Sequence, residues 1–416
     1  MKLLPRLALR ALLRNRRRSL LALAVLVAGF VALALAAGFV AQTFEGLSEG
    51  AIRGGLGHLQ ILKAGALEAE EDRSLGAALP EGEALAARLR RDPDVAEVLP
   101  RSSFMGLLST GPHSVAFLGT AVDPGREARF MDVEARIRNG AVAPGGRGSR
   151  WLSEDPAARE VVLGIGLARS LQATVGSSLT LMATTKDGAL NALDVEVVGL
   201  QDLGLKELNE RSLVVSLGSA EQLLDAGGAR GRLSVVLKRP ERLDRVLPRL
   251  AALAGPGAEA RPWTELASFY RQVRLLYVAI FGFMFLVLGL VVLLATANVL
   301  LMGVMERVRA FGVLRALGLK PGQLLALLQW EALWMGAAGS ALGLAATLLL
   351  RAGLNALHVQ MPAPPGSSHG YELNIHFVPA VYLGVALLLQ AVLQLSALFP
   401  GLKAARLRIT EALRHV

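Results

Sequence analysis

Glu306-Arg307-Val308-Arg309-Ala310-Phe311-Gly312-Val313-Leu314-Arg315-Ala316-Leu317-Gly318 is a short basic run wedged between two long apolar stretches, from about Leu275 to Met302 and from about Leu324 to Leu350. A further apolar stretch, Phe377 to Phe399, follows closely, and another, Leu20 to Val40, stands far upstream. Each covers the roughly 20 residues that a helix needs to cross about 30 Å of hydrocarbon. The order is one span, a long water-compatible block, then three spans. This predicts a helical membrane protein with one large domain outside the membrane and a short basic contact point on the opposite side.

Composition agrees. The chain has 416 residues, of which 53% are hydrophobic, and a mean hydropathy of +0.46. A soluble protein of this size rarely reaches that value. It contains no Cys, so disulfides and thiolate metal sites are excluded. The outer block must hold together by packing alone.

Charge sets the expected orientation. Seven Lys/Arg and no acidic residue precede the first span, and the loop from Gly303 to Gly322 and the tail after Phe399 each hold four Lys/Arg against one Glu. The block from Gln42 to Arg274 is near balance, with 28 basic and 30 acidic residues. The excess behind the net charge of +10 therefore lies on one side. The positive-inside rule makes that side the cytoplasm, with both termini there. The high pI reports membrane topology and no nucleic-acid partner is expected. The basic start and Ala34-Leu35-Ala36 fit a signal peptide, but an apolar run of about 22 residues is longer than a usual signal core. The segment is read as a retained anchor.

The expected organisation is a basic amphipathic helix over 1–19, spans at 20–41, 323–350 and 377–399, and a stalk running into a span over 264–303. Between them lie an α/β domain over 42–263 with a strand-rich insert at about 114–216, a cytoplasmic loop at 304–322, a Pro-rich outer loop at 351–376 and a tail at 400–416. Strand signals fall at His58–Lys63, Val95–Leu99, Ser114–Thr120, Val161–Leu163, Ser178–Ala183, Asp194–Leu200, Ser212–Ser216 and Leu233–Lys238. Helical spacing marks Glu81–Arg91 and Glu241–Leu253.

No catalytic motif is read in the sequence. There is no Gly-Lys pair and hence no P-loop, and no His-Glu-x-x-His; the Gly-x-Ser-x-Gly spacings at Gly46–Gly50 and Gly366–Gly370 are not read as a nucleophile elbow. Gly164-Ile165-Gly166 lacks the third glycine of a dinucleotide fingerprint and is read as a turn. No catalytic residue, metal site or cofactor is expected.

Polar residues within the spans are few, and Asn298, Glu331, Gln390 and Gln394 stand out among them. A carboxylate in lipid is costly and needs a partner. Glu331 reads either as a coupling or gating contact, or as a residue near the inner headgroups bonded to a cytoplasmic Arg. Small residues at Ala24 and Ala28 in the first span, and Gly336, Gly339, Ser340 and Gly343 in the third, read as close helix packing.

Four pieces of sequence, in order, resemble one family. They are Arg14-Asn15-Arg16-Arg17-Arg18, Val162 to Leu171 followed by Val175-Gly176, the Glu306 to Gly318 run, and the end with Pro400, Ala404-Ala405 and Glu411-Ala412-Leu413-Arg414. On this 1+3 layout they resemble the FtsX-like permease family of ABC transporters, which includes the MacB membrane domain and the lipoprotein-releasing LolC and LolE subunits. The resemblance implies a multi-pass permease of the bacterial inner membrane with its large domain in the periplasm. It implies no enzyme activity of its own, with ATP bound by a separate ABC ATPase dimer.

The implied mechanism is mechanotransmission, in which ATPase closure moves the transmembrane helices and the stalks carry that motion outward. The expected task is to extract or release a lipoprotein, lipid or other amphiphile at the outer leaflet. The alternatives are MacB-like efflux with a periplasmic adaptor, and an FtsX-like scaffold for cell-wall hydrolases. Expected partners are the ATPase, a second and identical permease chain, membrane lipid and a periplasmic carrier or adaptor. The coupling residues implied are Glu306, Arg307, Arg309, Phe311, Gly312, Val313, Leu314, Arg315, Leu317 and Gly318. Among them Phe311, Val313 and Leu314 are expected as outward apolar knobs, Arg309 and Arg315 as flanking charges, and Arg307 at a solvated rim.

Overall fold

The computed structural model describes residues 4–14, 16–66, 78–131, 149–203, 206–361 and 371–406. The Gly-rich stretch 140–148, the interior of the Met361–Tyr371 loop and the Glu411–Arg414 end lie outside them. The chain opens with α1 (Leu4–Arg14) and the long α2 (Arg16–Ala51). Next come β1 (Leu59–Lys63), α3 (Gly82–Leu89), β2 (Val95–Ser109), β3 (Ser114–Val122) and α4 (Pro124–Met131). They are followed by β4 (Glu160–Gly164), α5 (Ile165–Ser170), β5 (Ser178–Thr184), β6 (Leu190–Gln201), α6 (Lys206–Arg211) and β7 (Ser212–Ser216). Then come α7 (Leu217–Leu224), β8 (Arg232–Leu237), α8 (Leu243–Ala254), β9 (Ala258–Pro262) and α9 (Trp263–Leu266). The last helices are α10 (Ser268–Met305), α11 (Val308–Ala316), α12 (Pro321–Ala356) and α13 (Pro379–Arg406). Two compact units result: an α/β unit centred on Gly46–Gln272, and a helical unit from the rest.

In the α/β unit the strand order is β3-β7-β4-β6-β5-β2-β8-β1-β9, and an extra β2–β3 pairing closes the first six strands into a ring. β2 belongs to both halves. Val95–Arg101 pairs with β8, whereas Arg101–Ser109 pairs with β3 and Gly106–Ser109 with β5. The ring is filled by Phe104, Leu108, Phe117, Leu163, Leu181 and Leu213, with the Phe104 and Phe117 rings edge-on at 5.5 Å. The open half packs Leu59, Ile61, Val98 and Val235 against Leu85 and Leu89 of α3 and Leu250 of α8. Two separate cores thus realise the expected α/β layer with a strand-rich insert.

Two local readings change. The sequence stops the second strand at Leu99, because Pro100 has no N–H to donate. The strand runs on because at Pro100 it has a single neighbour, β8, just before it exchanges that neighbour for β3 and β5. Gly164-Ile165-Gly166 is not a free turn. Gly164 ends β4 and caps α5, and side chains at Gly164 or Gly166 would strike the Asn209 carbonyl.

Among the described residues, four helices are long and apolar enough to cross a membrane: Ser19–Leu56, Ser268–Met305, Pro321–Ala356 and Pro379–Ala404. The 38 residues of α10 reach about 57 Å at 1.5 Å per residue, well beyond a hydrocarbon core. Gly339 and Gly343 of α12 let Leu26 and Phe30 of α2 approach, and Gly29 of α2 meets Val292 of α10. The expectation that Ala24 and Ala28 serve the same purpose within the chain is corrected: both are exposed, because Ala22, Leu26, Gly29 and Phe30 form the inward stripe. Across the helices, Thr296 and Ser396 share a buried 3.1 Å hydrogen bond. Gln329 donates to the Gln394 carbonyl at 3.3 Å, and Gln394 donates back to the Gln329 carbonyl at 3.5 Å.

Candidate functional site

The basic run is a folded corner rather than an open loop. α10 ends at Met305, Glu306 and Arg307 make the turn, and α11 follows at once. Gly318 closes α11 in a left-handed conformation (φ +100°) that a side chain would strain. This geometry lets the Gly318 N–H reach the Arg315 carbonyl at 3.0 Å and the Leu319 N–H reach that of Leu314 at 3.1 Å. Pro321 then opens α12, with the Gln323 side chain accepting the Lys320 N–H at 2.9 Å.

Burial divides the coupling residues into two sets. Phe311 is 4% exposed and sits among Val304, Leu324, Leu327 and Leu328, with Ala8 of α1 and Ala404 of α13 in the same cluster. It was expected as an outward knob; it is instead the anchor that holds α11 on the helical unit, because 3.6-residue periodicity turns it inward with Val308. Gly312 is buried beside it. The outward apolar residues are Val313 (45% exposed), Leu314 (37%) and Leu317 (80%). Glu306, Arg309 and Gly318 are exposed, and Arg315 is half-buried.

Arg307 is not at a solvated rim. Its Nη1 donates to Glu331 Oε1 at 2.9 Å, and the two side chains are only 12% and 2% exposed. Glu331 thus has the basic partner that a carboxylate in a span needs, and Arg307 supplies it. The pair joins the start of α11 to the buried face of α12. Glu331 also lines a cavity of about 10 Å³, the space of about one water.

Asn298 has a different setting. It faces outward from α10, with no side-chain hydrogen bond among the described residues. Gln390 is opposed by Gly336, and its Nε2 is buried without a partner among the described residues. Sequence reading missed Thr296 and Ser396, since single hydroxyls in apolar helices commonly bond back to their own helix. It also gave no weight to Arg101 and Glu127, which form a buried ion pair in the α/β unit. Among the described residues no group of His, Asp or Glu is arranged to hold a metal.

Comparison with known proteins finds the FtsX-like permease C-terminal profile over residues 280–409 and the MacB-like periplasmic core domain profile over residues 19–253, more than half of the chain. LolC, a lipoprotein-releasing system transmembrane protein of Neisseria meningitidis serogroup B, is 27% identical over 209 residues, 47% of this chain. The match spans 48% of that relative, so about half its length is represented. Among solved structures, the periplasmic region of MacB from Actinobacillus actinomycetemcomitans aligns with TM-score 0.35 at 16% identity, over 53% of this chain and 95% of that one. The extracellular domain of the ABC-type transporter YknZ from Gram-positive bacteria aligns with TM-score 0.34 at 12% identity, over 49% and 98%. With the basic corner and most of the last three spans under one profile, and the first span and most of the α/β unit under the other, the chain belongs to the family of FtsX-like permeases that carry a MacB-like periplasmic core domain.

Proposed function

We propose that this chain is the permease subunit of an ABC transporter that works by mechanotransmission. In this reading an ATPase dimer grips α11, and α10 carries the resulting motion toward the α/β unit. The observation that carries it is the division of α11 into an anchored and an outward face. Phe311 fixes the helix to the helical unit while Val313, Leu314 and Leu317 stay outside. Force applied to the outward face would pass to the spans instead of being lost in a flexible loop. The substrate proposed is a lipoprotein, lipid or other amphiphile at the outer leaflet, a reading supported by the match to LolC.

Orientation is tested first, and a chain without Cys makes the test clean. A cysteine at Asp187, exposed in the β5–β6 turn, should react with an impermeant thiol reagent in spheroplasts. One at Gly322, exposed at the start of α12, should react only after the membrane is opened. The opposite pattern ends this reading.

The assembly proposed is two copies of this chain on the ATPase dimer. Asn298 supports it: an outward amide in the hydrocarbon is costly without a partner, and a second chain would supply one. Asn298→Leu should weaken self-association about threefold to tenfold, the size of one interhelical hydrogen bond. Native mass spectrometry of a detergent dilution series reads this, and unchanged dimer content in the variant counts against the α10 contact.

A further inference from the structure

The coupling scheme makes no use of α1, the helix Leu4–Arg14. Residues four apart share a helix face, so its side chains fall into rows. Leu4, Ala8 and Leu12 turn inward. Ala8 is fully buried in the cluster that holds Phe311 and Leu324, and Leu12 packs against the cluster around Leu26. Ser19 Oγ donates to the Leu12 carbonyl at 2.9 Å and ties the end of α1 to the start of α2. The next row is Pro5, Leu9 and Leu13, with Leu9 42% and Leu13 63% exposed. Beside it runs a row of Arg6, Arg10 and Arg14, all exposed, at intervals of about 6 Å.

Two sets of contacts fix the level at which these rows stand. Leu26 meets Gly339 and Phe30 meets Gly343, so α2 and α12 run parallel. The same register brings Arg16 and Arg17 level with Gln329 and Trp330. Trp334 Nε1 also donates to the Pro5 carbonyl. α1 therefore lies against the bundle at the level of Trp330 and Trp334, which are part-exposed. Tryptophans in that setting, near one end of an apolar span, mark a boundary between membrane and water. The apolar run of α2 begins at the same level, with Leu20 and Leu21 exposed.

Charge narrows what covers this face. Arg6, Arg10, Arg14, Arg16 and Arg17 are exposed, and among the described residues none of the five is in an ion pair. The first acidic residue of the chain is Glu45, so neither α1 nor the first half of α2 supplies a counter-charge. A basic row beside an apolar row, at a membrane boundary, suits a partner that is anionic at its head and apolar below it. Phospholipid matches both rows at once.

We propose that α1 is a binding surface for anionic phospholipid in the leaflet at this end of the spans. Headgroup phosphates sit on the Arg6–Arg10–Arg14 row, with Arg16 and Arg17 continuing it, and Leu9 and Leu13 dip into the acyl boundary. Because Ala8 shares its cluster with Phe311, lipid bound to α1 also steadies the seat of α11. The inference requires that the apolar helices span a bilayer. It stands apart from the ATPase coupling, and its main test needs no ATPase.

The test uses the full chain in detergent, titrated with dioctanoyl phosphatidylglycerol or dioctanoyl phosphatidylcholine. Native mass spectrometry reads binding and thermal unfolding reads stability. Phosphatidylglycerol should bind at least tenfold more tightly than phosphatidylcholine and should raise the unfolding midpoint. The triple variant Arg6→Gln, Arg10→Gln and Arg14→Gln should weaken phosphatidylglycerol binding at least tenfold, since each basic residue at an anionic surface contributes about fivefold. It should leave phosphatidylcholine binding, and the midpoint without added lipid, unchanged. The matching triple to Lys should keep phosphatidylglycerol binding within about threefold, which separates lost charge from lost fold. The proposal fails if the two lipids bind the parent chain alike, if phosphatidylglycerol leaves its midpoint unchanged, or if the glutamine triple keeps the preference. In that last case, loss of ATPase co-purification from the triple would assign the arginine row to the ATPase instead.

Discussion

Arg307→Ala is expected to be among the most damaging single substitutions at the basic corner. It removes the guanidinium from Glu331, whose side chain is 2% exposed between α12 and its neighbours. Breaking a buried pair from one side weakens the compensation of the charge that stays behind and costs up to about 3–5 kcal/mol. Replacing both partners by apolar residues of similar size is often close to neutral. The double variant Arg307→Met with Glu331→Leu should therefore recover most of the stability lost by Arg307→Ala. Thermal unfolding of the purified chain in one detergent, across wild type, Arg307→Met, Glu331→Leu and the double, reads the coupling directly. The double variant also separates stability from function. If the pair transmits motion from α11 to α12, the refolded double should keep its ATPase partner yet fail to couple hydrolysis to transport. Singles as stable as the parent chain would show that the contact is incidental.

The consequences of sequence differ by element. The four spans and their order were legible because each is a long run of apolar residues, the first of them longer than a usual signal core, and basic segments flank them. Most strands were legible from short β-branched runs between Gly, Asp and Asn. The closure of the ring was not. It depends on β2 changing neighbours at Arg101, a long-range choice that neither Pro100 nor the following Ser102-Ser103 announces. At the coupling site the residues were legible and their directions were not. Glu306 to Gly318 read as a loop because its apolar and charged residues alternate without a full helical stripe. Only the positions of Val304, Leu324 and Leu328 decide that Phe311 turns in and Leu314 turns out. The Arg307–Glu331 pair was reachable as one of two readings, since a carboxylate in a span demands a cation. Which basic residue answers it depended on the α10–α11 corner.

Leu314→Ala with Leu317→Ala is expected to abolish co-purification with the ATPase while leaving the permease folded. Leu314 is 37% exposed and Leu317 80% exposed, so truncating them removes little internal packing, and exposed substitutions of this kind usually stay within about 0.5 kcal/mol. At an interface the same residues would be anchors. Central apolar anchors contribute about 2 kcal/mol or more each, roughly 30-fold in affinity for each truncation. Phe311→Ala is the necessary contrast. Phe311 is 4% exposed in a cluster with Leu324 and Leu327, and a buried Phe→Ala change costs about 3–5 kcal/mol through the cavity it leaves. It should lower the melting temperature and lose the ATPase only as a consequence of unfolding the corner. The two variants therefore predict opposite pairs of results: stable and unbound for Leu314→Ala with Leu317→Ala, unstable for Phe311→Ala. If the leucine double variant still co-purifies with its ATPase and supports transport, the grip lies elsewhere. The next candidate is then α1, which packs on α12 through the hydrogen bond from Trp334 Nε1 to the Pro5 carbonyl at 3.2 Å.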